Sequence, residues 1–162
     1  MKAYVMDTNV AVVANGRSPQ AGAPCIGACV GALEEIIAGG VLLIDDRGLI
    51  LDEYMRHLSL SGQPGPGDAF LKWVWKVQAT YRVVKTKVTS SGKDASDFEE
   101  FPTDPKLRGF DKDDRKYVAV ALSSRRNPRV LNAVDSDWWK YREPLESHGV
   151  RIVFLCPEQF PN

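Results

Sequence analysis

The chain of 162 residues predicts a single α/β domain over residues 1–162, a three-layer α/β/α sandwich around a central, mostly parallel sheet. Three observations carry that expectation. Short apolar runs bounded by Gly or Asp read as buried strands. They alternate with longer stretches of three- and four-residue apolar spacing, and such alternation argues parallel strands joined by helices on both faces of a sheet. Composition is ordinary, 44% hydrophobic and 26% charged, at a length that fills one core and leaves nothing for a second.

Along the chain, Ala3-Tyr4-Val5-Met6 reads as a buried strand that stops abruptly at Asp7-Thr8-Asn9. A Gly/Pro/Ser-rich loop over 15–23 follows, and Pro24 opens a helix that Gly39-Gly40 ends. Residues 41–44 form the next apolar run, closed by Asp45-Asp46, with a helix expected over 48–60. Residues 61–67 are a Gly/Pro loop, after which Asp68 caps a helix running to 79. Residues 81–88 suit an edge strand. The polar stretch 89–110 lacks periodicity and reads as a long surface loop, of a length that implies either a function or disorder. The last third alternates cleanly: helix 111–124, strand 130–134, helix 136–148, strand 151–155.

No stretch approaches the ~20 apolar residues that span a bilayer, and Asp7 interrupts the opening apolar run too early for a signal peptide. A soluble, cytoplasmic protein is expected. Cys25, Cys29 and Cys156 are odd in number and read as reduced, with Cys29 packed on a stripe with Ile26, Leu33 and Ile36; no zinc site is expected. Basic and acidic residues balance at 21 each, so the whole molecule exerts no long-range pull on a polyanion. Nucleic-acid binding then needs a local patch, drawn from Lys72, Lys76, Arg82, Lys85 and Lys87, from Arg108, Lys112, Arg115 and Lys116, or from Arg125, Arg126 and Arg129. Solvated faces look the same.

In an open parallel sheet, ligands collect beyond the carboxyl ends of the strands, where strand order reverses. Asp7 and Asp135 each follow an expected strand directly and share one crevice if those strands are neighbours. Asp114 lies one turn into its helix, on a stripe with Val118 and Ala121, and faces inward. Each of these also suits a helix N-terminus, with Asp111 as a cap. Glu53 shares a helix face with Ile50 and His57, whereas Asp52 has Arg56 four residues on. Carboxylates brought together repel one another unless a cation neutralises them, and oxygen-only ligation selects Mg²⁺ or Mn²⁺ over zinc. Hard cations so held support phosphodiester hydrolysis without a Ser, Cys or His nucleophile.

Asp7-Thr8-Asn9-Val10, Ile50-Leu51-Asp52-Glu53-Tyr54, Asp111-Lys112-Asp113-Asp114 with Tyr117-Val118-Ala119-Val120-Ala121, and Asn132-Ala133-Val134-Asp135-Ser136-Asp137-Trp138 together resemble the PIN-domain family in order and spacing across nearly the whole chain. The resemblance implies an α/β/α nuclease in which Asp7, Glu53, Asp114 and Asp135 bind Mg²⁺ or Mn²⁺ and RNA is cleaved. It also implies kinship with the toxins of toxin-antitoxin pairs, hence an antitoxin as partner. On the same footing Thr8 and Asn9 support the first loop by hydrogen bonds, Asp137 is a supporting residue, and Asp111 reaches the metal through water.

Two features depart from the family pattern. Asn132-Ala133-Val134 stands where a hydroxyl often precedes the fourth acid, and the 89–110 insert exceeds what a minimal toxin needs. On the helix at 68–79, Phe70, Val74 and Val77 form one apolar line, and Leu71 and Trp75 a second; either the helix lies between layers or the second line meets an antitoxin or a second copy in a homodimer. Trp138 and Trp139 are candidates to stack on an unpaired base or to pack in the core. Two other functions fit part of the pattern. One is a PIN-like module that binds RNA or protein without catalysis, its acids serving as caps. The other is a phosphatase of the haloacid-dehalogenase type with Asp7 as nucleophile, although Asn9 stands where that chemistry typically places a second Asp.

Overall fold

The structure, a computed structural model, describes residues 1–92 and 94–161. In chain order its elements are β1 (Ala3–Met6), α1 (Thr8–Ala14), α2 (Ala23–Gly39), β2 (Val41–Asp45), α3 (Leu49–His57), α4 (Pro66–Val77), β3 (Val83–Thr86), α5 (Arg115–Ser123), β4 (Arg129–Asn132), α6 (Ser136–Lys140), α7 (Arg142–Ser147) and β5 (Arg151–Phe154). The five strands are all parallel, in the order β3-β2-β1-β4-β5, as the central layer of an α/β/α fold. β1 and β2 are buried at every position, as unbroken apolar runs require when helices cover both faces of a sheet. β3 and β5 are the edge strands, and the burial of β3 is mixed.

From β1 the chain steps outward to β2 and β3, then crosses back to β4 and continues to β5. The order therefore reverses between β1 and β4, which pair directly with Met6 opposite Leu131. The switch point of the sheet thus lies where Asp7 and Asp135 leave their strands.

Four expectations need correction. Thr8–Ala14 is helical although the Asp-Thr-Asn run reads as a loop, because Asp7 caps this helix: its carboxylate accepts from the Asn9 N–H at 3.1 Å. α4 begins at Pro66, so Asp68 stands in its first turn and not at its cap. Buried Asp68 reaches back to accept from the N–H groups of Gly65 at 3.0 Å and Ser59 at 2.7 Å. The expected helix over 136–148 breaks at Tyr141 into α6 and α7, because Pro144 has no N–H to offer the Lys140 carbonyl but is tolerated in the first turn of a new helix.

The fourth correction concerns the cysteines. Cys25 and Cys156 form a disulfide across 131 residues of sequence, tying the segment after β5 to the first turn of α2. Only Cys29 remains a thiol; it is buried, and burial raises its pKa to about 12, which leaves it chemically quiet. The disulfide removes the ground on which a reducing compartment is expected. Closing so long a loop restricts the unfolded chain, typically by about 2–4 kcal/mol. A dithiol reductant, or Cys156→Ser, is therefore expected to lower the melting temperature by roughly 5–10 °C. An unchanged melting temperature in calorimetry, with both thiols shown free by alkylation, would count against that role.

The stretch 89–110 packs back onto the domain over its described residues; Lys93 lies outside them. A bridge pairs Ser90 with Phe98, Arg115 binds Asp97 at 2.8 Å, and the Phe101 and Phe110 rings stack at 6.0 Å. α4 packs against α1 and α2, which buries Leu71 along with Phe70 and Val74, while Trp75 stays 48% exposed. Among the described residues no helix is long and apolar enough to cross a membrane.

Candidate metal centre

Asp7 terminates β1 and caps α1, and Asp135 follows β4 and caps α6, its Oδ1 accepting from the Asp137 N–H at 2.9 Å. Capping and a shared crevice are therefore not alternatives: each carboxylate caps its helix and also places an oxygen within 4.8 Å of its neighbour's. Asn132, fully buried at the end of β4, sits between them. Its amide donates to Asp7 Oδ2 at 3.3 Å, and its carbonyl oxygen accepts from the Asp135 N–H at 3.2 Å.

Asp114 enters from the far side, at the end of a 3-10 turn (Lys112–Asp114) that leads into α5. One oxygen from each of Asp7, Asp114 and Asp135 lies within 4.8 Å of the others. Asp114 is only 7% exposed and its Oδ2 is buried without a hydrogen-bond partner.

Two other buried aspartates show what a purely structural acid looks like in this fold. Asp45 ends β2 as Asp7 ends β1, yet its two oxygens accept from the N–H groups of Arg47, Leu49 and Ile50 at 3.0, 2.9 and 2.8 Å. Asp68 is likewise satisfied by backbone N–H groups. At the switch point the compensation is thinner: Asp7 accepts from one backbone N–H and one side-chain amide, Asp135 from one backbone N–H, and Asp114 Oδ2 has no partner. Burial, aided by the charges of Asp135 and Glu53, raises the pKa of Asp7 to about 7, against the opposing Asn9 N–H. Burial and the charges of Asp7 and Asp135 raise that of Asp114 to about 10. The Lys116 ammonium pulls the Asp7 pKa down but does not offset these effects, so the trio carries more negative charge than its surroundings neutralise.

Glu53 points inward from α3, as its helix face predicts, while Asp52 is exposed. It nevertheless does not join the trio. Lys116 Nζ lies 2.9 Å from Oε1, and the hydroxyls of Thr8 and Tyr117 both donate to Oε2. Burial pulls the Glu53 carboxyl upward, but these bonds outweigh it and hold the pKa below the ordinary value. No hydrogen bond to His57 is made among the described residues; the partners are more distant in sequence.

The supporting residues are placed as follows. Asn9 Oδ1 accepts from the Ala133 N–H at 2.8 Å, clamping the start of α1 to the end of β4. Thr8 Oγ1 also lies 2.7 Å from the Tyr117 hydroxyl. Asp111 is exposed, caps the 3-10 turn, and donates its own N–H to Asp137 Oδ2 at 2.8 Å. Burial and the charges of Asp135 and Asp111 raise the Asp137 pKa. A cleft of about 280 Å³ opens over Asp7, Asp114 and Glu53, walled by Thr8, Asn9, Val12 and His57.

No family model, curated protein or solved structure matches this chain. The site's chemistry therefore stands on its own geometry.

Sequence reading missed three residues here. Asn132 is a polar residue inside an apolar strand, and its burial is the signal that would have found it. Tyr54 hides in α3, where its hydroxyl donates to the Met6 carbonyl at 2.6 Å just before Asp7. Lys116 reads in sequence as part of a basic patch, yet it is 8% exposed and faces Glu53. Much of that patch is taken up internally: Arg115 by Asp97 and two backbone carbonyls, Lys112 by Asp94. In the first patch, Arg82 binds the carbonyls of Ile36, Ile37 and Gly40 at the end of α2. Neither tryptophan is placed to stack on a base: Trp138 is fully buried against Phe110, and Trp139 is stacked on Phe160 with Arg142 over its ring.

Proposed function

We propose that this protein is a divalent-cation-dependent nuclease that hydrolyses RNA phosphodiester bonds, with Asp7, Asp114 and Asp135 as the residues that hold the cation. The observation that carries this reading is the partnerless, buried Oδ2 of Asp114, set beside two further carboxylates at the reversal point of a parallel sheet. The donor set is all oxygen, which suits Mg²⁺ or Mn²⁺. A cation bound there supplies Lewis-acid polarisation and neutralises charge developing on phosphate oxygens.

The chain's own residues do the positioning. Asn132 and Asn9 lock the ends of β1 and β4 together, so Asp7 and Asp135 keep their separation. The 3-10 turn delivers Asp114 to the same point. Thr8, Tyr117 and Lys116 hold Glu53 ionised at the edge of the cleft. RNA as substrate, the PIN-like identity and an antitoxin partner follow from the motif resemblance and belong to the same proposal.

The chain is expected to cleave single-stranded RNA with Mn²⁺ or Mg²⁺, to lose that activity in chelator, and to regain it when cation is restored. Asp7→Asn is expected to be inactive under all three conditions. Equal cleavage by the two proteins would remove Asp7 from the site, and cleavage unaffected by chelator would sink the cation-dependent reading. The pairing of Glu53 with Lys116 favours a second reading, a PIN-like binding module without catalysis, because it withdraws one expected ligand. That reading predicts no Mn²⁺ binding by calorimetry.

A further inference from the structure

Resting on the cation-dependent reading, we infer that the centre takes a single divalent cation and that Lys116 is a positioning residue supplying a further positive charge from the chain itself. Four carboxylates gather here, Asp7, Asp114 and Asp135 with oxygens within 4.8 Å of one another and Glu53 lining the same cleft as Asp7 and Asp114, and one divalent cation offsets only half of their charge. Lys116 is a buried ammonium whose Nζ sits 2.9 Å from Glu53 Oε1 and also donates to the Asp113 carbonyl. A buried charge persists only when paired and hydrogen-bonded, and this one is.

With Oε1 held by Lys116 and Oε2 by Thr8 and Tyr117, Glu53 has no oxygen left facing the trio without a donor. Asp114, by contrast, keeps a bare one. The ligand and counter-charge assignments therefore divide between two neighbouring places, three aspartates for the metal and Glu53 for the ammonium.

The covalent layout couples these two places. Lys116 follows Asp114 by two residues on the same turn, and Thr8 follows Asp7 directly. The backbone positions that deliver Asp7 and Asp114 thus also deliver two of the groups that hold Glu53. Lys116 also lines an adjoining cleft of about 240 Å³ together with Leu49, Arg56, Phe98 and Lys112. Its charge thus stands beside both the acidic cleft and a neighbouring space whose lining mixes apolar residues with both basic and acidic ones, Asp52 and Asp113 among them.

The test counts Mn²⁺ ions by calorimetry and reads their environment by electron paramagnetic resonance on the full chain. Wild type is expected to bind one equivalent with the spectrum of an isolated ion. Lys116→Met frees Glu53 and is expected to bind two equivalents with the spectrum of an exchange-coupled pair, whereas Lys116→Arg returns to one. If Lys116→Met does not fold, Glu53→Gln decides the matter. An acid outside the ligand set predicts one Mn²⁺ with affinity within about tenfold of wild type, the lower end of what partners outside the ligand set contribute. Two equivalents in wild type, a single equivalent in folded Lys116→Met, or loss of Mn²⁺ binding in Glu53→Gln would overturn the inference while leaving the cation-dependent reading intact. No binding by wild type would overturn that reading itself, and this inference with it.

Discussion

Asp114→Asn is expected to melt at a higher temperature than wild type in chelator while cleaving RNA roughly a thousandfold more slowly in Mn²⁺. Both effects come from one atom. In the metal-free protein the Asp114 carboxyl must keep a proton at neutral pH, since burial and its neighbours raise its pKa from 3.8 to about 10. Each pH unit of that displacement costs about 1.4 kcal/mol, so the total at pH 7 is on the order of a few kcal/mol. Asn has nearly the same shape, carries no charge, and can donate to the Asp7 and Asp135 carboxylates. Removing the cost is expected to raise the melting temperature by roughly 5–10 °C.

The same substitution removes an anionic ligand from the trio. If cation binding supplies several kcal/mol of transition-state stabilisation, and each ~1.4 kcal/mol is tenfold, the rate falls by about a thousandfold. Adding Mn²⁺ then separates the proteins in the opposite sense, because a ligand stabilises only the state that binds it. Wild type gains stability and the variant does not. Thermal melts of both proteins in chelator and in Mn²⁺ check the pattern. A variant no more stable than wild type in chelator would mean that Asp114 is already satisfied, as Asp45 and Asp68 are.

Why some of this site was legible and some was not follows from the kind of signal each residue leaves. Asp7 and Asp135 stand where apolar runs end, so the boundary between buried strand and polar turn marks them without any three-dimensional knowledge. Their adjacency was conditional on strand order, which no local pattern encodes, and the pairing of Met6 with Leu131 supplies it. The parallel sheet was legible for the same reason as its strands: runs such as Val41-Leu42-Leu43-Ile44 are apolar on both faces, which only a covered sheet accommodates. By contrast, α1 was hidden because Asp-Thr-Asn is equally good chemistry for a loop and for a helix start.

Partnerships across long separations were the least legible. Glu53 could be placed on an inward helix face, but its pairing with Lys116 spans 63 residues, and in sequence Lys116 is one of several charges in a run that reads as solvated. The Cys25–Cys156 disulfide spans 131. Cysteine spacing gives no clue to it, since what matters is that the exit of β5 meets the first turn of α2. Local spacing thus identifies which residues carry charge or polarity at an element's end. Tertiary packing decides which of them are satisfied, and among the carboxylates described it is the unsatisfied Asp114 that points to a ligand.

The metal-free protein is expected to lose stability as pH rises, the reverse of ordinary acid denaturation. Asp7 and Asp114 have folded pKa values raised to about 7 and about 10 from 3.8. The native state therefore holds protons that the unfolded chain releases. Their contribution is complete below about pH 4 and declines at up to about 1.4 kcal/mol per pH unit for each group. The share of Asp7 is exhausted near pH 7, and that of Asp114 continues to fall until about pH 10. Glu53 acts with the opposite sign, because its folded pKa is lowered; its contribution is present above its unfolded value and is lost as pH falls through the folded one. Melting temperature in chelator is thus expected to drop between about pH 5 and about pH 9, most steeply in the lower half of that range, where both aspartates contribute. Saturating Mn²⁺ is expected to flatten or reverse the trend, since cation binding requires deprotonated carboxylates and tightens with pH. Asp114→Asn in chelator should show a shallower slope that ends near pH 7, where only Asp7 remains to titrate. A melting temperature in chelator that is flat or rising over this range would show that the trio carries its charge without cost, and the case for a cation at this switch point would lose its physical basis.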